Sequence, residues 1–307
     1  MYEAETPITG GAPEGVPRSM PSDRRFGAVA SALVAACHPG PTAAVTLLAV
    51  VLGIATGLSP LGVLLVAAAI LAGQLAIGWS NDWLDARRDI EVGRTDKPVA
   101  TGAISASTVR TAFIVSAMAV VALSLLLGPP AAVASIVLAV SGLSYNVLFK
   151  KTALSGLPYV VSFGLLPLVV TLAAPGAPIA AWWVVATGSL LGLGAHFANV
   201  LPDLADDAAT GVRGLPHRMG RTASGLSAFG ALLGASALVA FGATLTDPSL
   251  PPSVVGLVGF AVGVVLSAVG AWLVLTKPPG RLLFQLIIAS ALVDVLLLAL
   301  SGSRVIA

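Results

Sequence analysis

The chain has 307 residues, of which 57% are hydrophobic and only 10% are charged, and its formal net charge is +2. Soluble proteins usually carry about a quarter charged residues, so this composition indicates a membrane protein. The small net charge, which is spread over several loops, argues against nucleic acid as a partner. The single cysteine, Cys37, excludes an internal disulfide framework and a multi-cysteine metal site.

The N-terminal region, residues 1–40, is predicted to form a cytoplasmic tail. Residues 1–25 contain Pro, Gly, Ser, Glu and three Arg with almost no apolar periodicity, which is typical of a disordered segment. The apolar run from Phe26 to Cys37 predicts a short interfacial helix that leads into the first membrane span. Residues 41–307 are then expected to form one transmembrane domain.

Nine apolar segments follow that are long enough to cross a membrane, which requires roughly 17 to 25 residues. They cover residues 42–58, 61–80, 109–127, 131–149, 156–173, 180–199, 224–244, 253–275 and 282–301. Turn signals such as Gly128-Pro129-Pro130 separate several of them. The sequence therefore predicts an all-α, polytopic membrane protein with about nine transmembrane helices.

The basic residues support this number of spans. With nine spans, the Lys and Arg residues lie before span one or in the loops after spans two, four, six and eight, and only Arg304 falls on the opposite side. Because cytoplasmic loops carry an excess of Lys and Arg, the N terminus and these loops are predicted to be cytoplasmic. The chain is thus expected to be an integral, multi-pass membrane protein.

Two polar patches in this apolar chain are copies of one another. The first patch runs from Asn81 to Asp89 and the second from Asn199 to Asp207, at a constant offset of 118 residues. The same offset, without a gap, also matches Gly93 with Gly211, Pro98 with Pro216 and Gly102 with Gly220. Four spans separate the patches, so both copies have the same orientation. We therefore expect two parallel repeats offset by four helices, with both patches at the cytoplasmic face.

The acidic residues of the two patches have helical spacing. Those of the first patch, Asp82, Asp85 and Asp89, follow i, i+3, i+7, and in the second patch Asn199, Asp203 and Asp207 follow i, i+4, i+8. Mg²⁺ prefers carboxylate and amide oxygens, and it usually binds through one or two carboxylates plus substrate phosphates. The patches thus predict two halves of one site for Mg²⁺ and a diphosphate. The alternative is that these Asp residues only cap helices and face cytoplasmic water.

Basic residues near the first patch could bind phosphate oxygens. Arg94 and Lys97 lie in the loop that follows the patch, and such cations stabilise charge on a departing diphosphate. Their alternative role is ordinary positive-inside charge. Tyr145 and Lys150, near the end of span four, could equally be an interfacial anchor.

Taken together, these motifs resemble the UbiA superfamily of intramembrane prenyltransferases, over about residues 38–300. The family pattern N-D-x-x-D-x-x-x-D is matched by Asn81, Asp82, Asp85 and Asp89, and its second D-x-x-x-D motif by Asp203 and Asp207. A Tyr followed closely by Lys is matched by Tyr145 and Lys150. The R-x-x-R-P segment is matched by Arg94 and Lys97-Pro98, with Lys in place of the usual second Arg. The resemblance implies nine helices around a central cavity, with the active site at the cytoplasmic side.

The resemblance also implies roles for individual residues. The metal ligands would be Asp85, Asp89, Asp203 and Asp207, which with Lys150 form the catalytic set. The substrate-binding set would be Asn81, Asp82, Arg94, Lys97, Tyr145, Asn199 and Arg213. Of these, Arg213 is the weakest candidate, because Arg94 maps to Val212 at the repeat offset.

The function implied is Mg²⁺-dependent transfer of a prenyl group from an allylic prenyl diphosphate to an aromatic or other lipid-quinone-type acceptor. The expected partners are the prenyl diphosphate, an unidentified acceptor and the lipid bilayer, and no obligate protein partner is evident. One alternative is a terpene cyclase of the same family that needs no external acceptor. A cation-coupled transporter is the alternative from a different class, although a transporter would place its polar groups near the bilayer midplane.

Three further polar residues have open roles. His38, before span one, either reaches the cavity or caps a helix. His196, one turn before Asn199, either contacts the acceptor or packs through a hydrogen bond. Asp294, inside span nine, is either functional or paired with Ser or backbone groups.

Overall fold

The structure is a computed structural model that describes residues 22–204, 207, 211–277, 281–301 and 305–306, and it does not describe the side chains of residues 22–26, 281 and 284. Most of the predicted disordered segment, residues 1–21, lies outside the described residues. The helices are α1 (Ser22–Ala36), α2 (Pro39–Ala55), α3 (Pro60–Glu91), α4 (Ala106–Leu125), α5 (Pro129–Ser144), α6 (Leu157–Leu172), α7 (Trp182–Val200), α8 (Leu215–Thr246), α9 (Val254–Thr276) and α10 (Arg281–Leu300). A π-helical turn, Tyr145–Phe149, continues α5, and a 3₁₀ turn, Leu201–Asp203, continues α7.

Each of the nine predicted spans coincides with one of the helices α2 to α10. By length and composition, 6 helices could cross a membrane, or up to 7 when the bent pair α1–α2 is treated as one span. Helix α6 and residues 285–300 of α10 are apolar but shorter. The all-α polytopic fold is thus confirmed, whereas the number of nine spans remains a prediction.

The predicted short helix before span one is α1, which meets α2 at a bend of 73°. His38 forms this corner in the left-handed conformation, with φ 56°. The corner lies in close contact with α3, because a Cβ atom at Gly78 of α3 would collide with the backbone of Cys37. Trp79 also donates from its indole N–H to the Leu33 carbonyl at 2.9 Å. Helix α1 is therefore anchored beside the first patch.

The backbone preserves the internal repeat. Gly93 and Gly211 are both left-handed, with φ 67° and 78°, and so are Gly102 and Gly220, with φ 74° and 77°. Non-glycine residues rarely adopt this conformation, which explains why glycine occurs at both copies. A matching hydrogen bond closes each loop, from Arg94 N to Asp89 O at 3.0 Å and from Val212 N to Asp207 O at 2.9 Å. The two patches thus lead into loops of the same conformation.

Consecutive helices pack against one another, and α10 returns to contact α2, α7, α8 and α9. One hydrophobic core joins α2, α3 and α6 to the ends of α7 and α10, and a second joins α7, α8, α9 and α10. Helices α6 and α7 approach closely because α7 has glycines at the contact. A Cβ atom at Gly188 or Gly192 would collide with a carbonyl oxygen of α6, as expected from small residues in membrane interfaces.

Asp294 is fully buried in α10, where the Ser236 hydroxyl of α8 donates a hydrogen bond to its Oδ1. Its other oxygen, Oδ2, has no hydrogen-bond partner among the described residues. Of the two roles left open by the sequence, the structure shows the pairing with Ser. Asp294 therefore links α10 to α8 within the apolar interior.

Candidate active site

The centre of the site is Asp85, at the C-terminal end of α3. Its Oδ2 accepts hydrogen bonds from the Asn81 amide at 3.2 Å and from Arg88 Nη2 at 3.2 Å. The Lys150 ammonium also donates to this oxygen. The Asp85 and Lys150 side chains are 18% and 13% exposed, so the pair is largely shielded from solvent. The structure thus brings together three residues of the predicted site.

The π-helical turn places Lys150 next to Asp85. In this turn, the Asn146 amide donates to the Ile77 carbonyl at 2.9 Å and to Ser80 Oγ at 2.8 Å, both on α3. Asn146 Oδ1 in turn accepts from the Asn81 amide at 3.3 Å. Single π-helical turns are rare and frequently occur at functional sites. Asn146 was not among the predicted site residues, and its position next to Tyr145 was the available signal.

Arg88 connects the two metal-binding candidates of the first patch. Its Nη2 lies 3.2 Å from Asp85 Oδ2 and 3.1 Å from Asp89 Oδ1. The Asp89 side chain is only 3% exposed, so this contact supplies a positive charge to a buried carboxylate. Arg88 was also missed by the sequence, because one Arg in a cytoplasmic loop is typical of positive-inside charge.

The second patch begins at Asn199, in the last turn of α7, and continues into the 3₁₀ turn, which contains Asp203. Asp207 is 18% exposed, and its Oδ2 lies 3.7 Å from His217 Nε2 on α8. Burial raises the pKa of the Asp207 carboxyl above its usual value, and the nearby charges of Lys150 and Arg88 partly offset that rise. Asp207 of the second patch is therefore within electrostatic range of two cations that bind the first patch.

Arg94 supplies a positive charge near carboxylates of both patches. Its guanidinium binds Asp96 through two hydrogen bonds of 2.7 and 2.8 Å, and this contact lowers the pKa of Asp96 to about 2. The same contact raises the pKa of Arg94 above its usual value, with smaller contributions from Asp203 and Asp89. Arg94 is thus within electrostatic range of one carboxylate from each patch.

Lys97, the second basic residue of that loop, contacts Asp82. Its Nζ lies 2.6 Å from Asp82 Oδ1 and 3.1 Å from His38 Nε2, which itself lies 3.3 Å from Asp82 Oδ1. Among the contacts of the described residues, Asp82 shares no partner with Asp85 or Asp89. Although helical spacing groups the three carboxylates, Asp82 is bound to a different part of the chain. His38 takes part in this cluster as well as forming the corner between α1 and α2.

Aromatic side chains form a cluster beside Asn199 of the second patch. Tyr145 packs edge-on against Tyr159, with ring centroids 5.2 Å apart, and His196 lies 5.0 Å from Tyr159. Asn199 donates to the Tyr159 hydroxyl at 3.3 Å. Tyr159 was missed because nothing in the sequence of α6 distinguishes it from an ordinary interfacial tyrosine.

His196 is fully buried, and its Nε2 lies 3.1 Å from Ser155 Oγ. Of its two predicted alternatives, the structure shows the hydrogen-bonded packing role. Arg213, by contrast, is exposed, and its side chain makes no hydrogen bond or ion pair with the residues that the structure describes. The structure does not bring Arg213 to the other candidates.

The donor atoms of the site suit Mg²⁺ that is shared with a phosphate ligand. Each patch contributes two carboxylates, Asp85 and Asp89 from the first and Asp203 and Asp207 from the second, and oxygen donors are the ligands that Mg²⁺ prefers. Within the described part of the chain, no three His, Cys, Asp or Glu side chains converge as a complete metal cage. This arrangement fits Mg²⁺, which is usually held by one or two carboxylates together with phosphate oxygens.

Comparison with known proteins identifies the family. The model of the UbiA prenyltransferase family matches residues 42–290. No curated protein sequence matches the chain significantly. Among solved structures, the apo form of a UbiA homologue from Aeropyrum pernix K1 is similar at 19% identity, covering 87% of this chain and 96% of that one, with a TM-score of 0.65.

Two further structures share the fold. A UbiA homologue from Archaeoglobus fulgidus bound to GPP and Mg²⁺ has 12% identity and a TM-score of 0.66, covering 89% of this chain and 99% of that one. A digeranylgeranylglyceryl phosphate synthase has 15% identity and a TM-score of 0.66, covering 92% and 99% of the two chains. The protein is therefore an integral, multi-pass membrane protein that belongs to the UbiA prenyltransferase family.

Proposed function

We propose that this protein transfers a prenyl group from an allylic prenyl diphosphate to an acceptor within the membrane, in an Mg²⁺-dependent reaction. The observation that carries the proposal is the meeting of the two carboxylate patches around shared cations. Lys150 and Arg88 bind Asp85 directly and also act on Asp207. Carboxylates and cations in one partly shielded site are suited to a metal-bound diphosphate.

In this proposal Asp85, Asp89, Asp203 and Asp207 hold Mg²⁺. The ion would supply Lewis-acid stabilisation of the charge on the diphosphate oxygens. The Archaeoglobus fulgidus homologue with the same fold was solved with GPP and Mg²⁺, which supports the choice of ligand and metal. Asn81 and Asn146 hold the Asp85 carboxylate in its orientation through the hydrogen bonds between α3 and the π-helical turn.

The cations of the site would bind the leaving group. Lys150, Arg88 and Arg94 are placed to donate charge-assisted hydrogen bonds to phosphate oxygens. When the allylic C–O bond breaks, the electron pair leaves with pyrophosphate, and these cations stabilise the added negative charge. The allylic carbon then bonds to the acceptor, which loses a proton.

The rings of Tyr145 and Tyr159 would protect the allylic cation. Aromatic π faces stabilise a carbocation, and the bulk of the rings would exclude water that could capture it. The polar cluster lies at the ends of α3 and α7 and in the adjoining loops. This position does not favour the transporter alternative, which requires polar groups on broken helices at mid-membrane.

A direct assay tests this function. Purified protein with Mg²⁺ and geranyl diphosphate, supplied with an extract of membrane lipids and aromatic compounds, should release pyrophosphate and form a prenylated product. Release without any acceptor-derived product would instead indicate the cyclase alternative. Absence of pyrophosphate release with prenyl diphosphates of every chain length would refute the proposal.

We further propose that the N terminus and the active-site loops are cytoplasmic, as the distribution of Lys and Arg indicates. Ser59, before α3, and Thr95, in the loop after α3, are both exposed and suit cysteine labelling. In a Cys37→Ala background, an impermeant maleimide should label Ser59→Cys in intact cells and Thr95→Cys only after permeabilisation. Equal labelling of the two positions would contradict this orientation.

A further inference from the structure

The ammonium group of Lys97 is held by two residues from separate parts of the chain. Asp82 Oδ1, on α3, lies 2.6 Å from Lys97 Nζ, and His38 Nε2, at the corner between α1 and α2, lies 3.1 Å from it. The Asp82 and Lys97 side chains are only 1% and 13% exposed. The remaining carboxylate oxygen, Asp82 Oδ2, is buried and has no hydrogen-bond partner among the described residues. The Asp82 carboxylate is therefore shielded from solvent, with Lys97 bound to one of its two oxygens.

Both ends of this contact are fixed by packing. The Lys97 carbonyl accepts hydrogen bonds from Thr101, from the backbone N–H at 3.0 Å and from the hydroxyl at 3.2 Å. Val99, two residues after Lys97, is buried in a cluster with residues of α1, α3 and α4. His38 is fixed by the close approach of its corner to α3. The fold therefore determines the position of the Lys97 ammonium, unlike that of a flexible lysine on the surface.

One of the three N–H donors of the Lys97 ammonium is not used by Asp82 or His38. A lysine ammonium has three N–H donors and no acceptor. One donor is used by Asp82, and a second is used by His38 Nε2 in the tautomer that carries the ring proton on Nδ1. The third donor is available to a ligand. Asp82 balances the charge of Lys97, so this ion pair has no net charge.

We propose that Asp82 and His38 are positioning residues that hold Lys97 so that its third N–H donates to a phosphate oxygen of the bound diphosphate. Asp82 thus acts through Lys97 and not as a metal ligand. This inference rests on the proposed function, since it requires a diphosphate in the site. It also explains how this chain uses lysine where the resembled motif has arginine. An arginine fork is geometrically fixed by its own planarity, whereas a lysine ammonium is a point charge that needs external partners.

A double-mutant cycle on the full-length protein separates action through Lys97 from direct ligation. The measured quantity is the Kd of geranyl diphosphate in the presence of Mg²⁺, obtained by isothermal titration calorimetry. Lys97→Ala should raise the Kd about tenfold to a hundredfold, the usual range for a lost charge-assisted hydrogen bond. Asp82→Asn should raise it about tenfold, as for other residues that orient a ligand-binding group. In the Lys97→Ala background, Asp82→Asn should change the Kd by less than about twofold.

A second experiment does not change the buried Asp82. This experiment therefore remains informative if the Asp82→Asn variant fails to fold. Asn is among the non-glycine residues that tolerate the left-handed conformation, so His38→Asn removes the ring while keeping the corner. This variant should raise the KM for geranyl diphosphate several-fold and leave kcat within about twofold, since the contact acts on binding. In a Lys97→Arg background, where the cation fixes its own geometry, His38→Asn should have no effect.

Glu91→Gln provides the matched control, because Glu91 lies on the same helix end and, among the described residues, its carboxylate pairs only with exposed Arg87. A further tenfold loss on Asp82→Asn in the Lys97→Ala background would overturn the inference, as would an equal effect of His38→Asn with Lys97 and with Arg. If those results occurred while the wild-type protein bound geranyl diphosphate, the proposed function would stand. If the wild type neither bound geranyl diphosphate with Mg²⁺ nor released pyrophosphate, the proposed function itself would fail and the inference with it.

Discussion

Asp85→Ala and Asp203→Ala should each lower Mg²⁺-dependent pyrophosphate release from an allylic prenyl diphosphate by at least about a hundredfold. The two residues belong to different patches, but the structure places both patches around the same cations. Removing Asp85 removes a proposed metal ligand and also leaves Lys150 and Arg88 without their shared carboxylate. Removing Asp203 removes the corresponding proposed metal ligand of the second patch. The measurement is steady-state pyrophosphate release by the purified variants.

The loss must come from the site and not from misfolding. Glu91→Gln, on the exposed side of the same helix end as Asp85, should retain wild-type turnover. Thermal unfolding in detergent should be similar for all three variants without ligand, whereas geranyl diphosphate with Mg²⁺ should stabilise only the wild type and Glu91→Gln. Near-normal turnover by either Asp variant would contradict a site shared between the two patches.

Lys150→Met should lower kcat by about a hundredfold to a thousandfold, the range seen when a single donor to a developing anion is removed. The ammonium lies against Asp85 and within electrostatic range of Asp207, so Lys150, like Arg88, acts on both patches. Methionine keeps most of the aliphatic stem, which limits the change in packing. Single-turnover kinetics with saturating geranyl diphosphate would measure the loss in the ionisation step.

The neighbouring Lys151 offers the matched control. It is exposed, and Lys151→Met removes the same charge from the same turn. Turnover of Lys151→Met should stay within about twofold of wild type, because exposed charges contribute little to a shielded site. Equal losses from both variants would mean that net charge at this face, and not the Lys150 contact, supports turnover.

The helices and the repeat were predictable from the sequence because their signals are local. Apolar length defined the segments that became α2 to α10, and the need for left-handed glycines fixed the copied loops at Gly93 and Gly211. The carboxylate patches were predictable because acidic residues stand out in an apolar chain. These features require no knowledge of how the helices are arranged.

The partners of those carboxylates could not be predicted, because they depend on which helices become neighbours. Asn146 reaches α3 only through a π-helical turn, which has no reliable sequence signal. Helical spacing grouped Asp82 with Asp85, but spacing does not reveal the neighbouring element that each side chain contacts. Tyr159 joins the site only because α6 packs against both the π-helical turn and α7.

The asymmetry of the two repeats has a consequence for the order in which the chain is made. The cations that bind the first patch, Arg88, Lys97 and Lys150, are all encoded before the second patch. As the chain leaves the ribosome from its N terminus, the first set of carboxylates can be neutralised while the later helices are still being synthesised. The second patch then meets Lys150 and Arg88 already in place. By this order of synthesis, the first patch already has its cations when the second patch reaches the membrane surface.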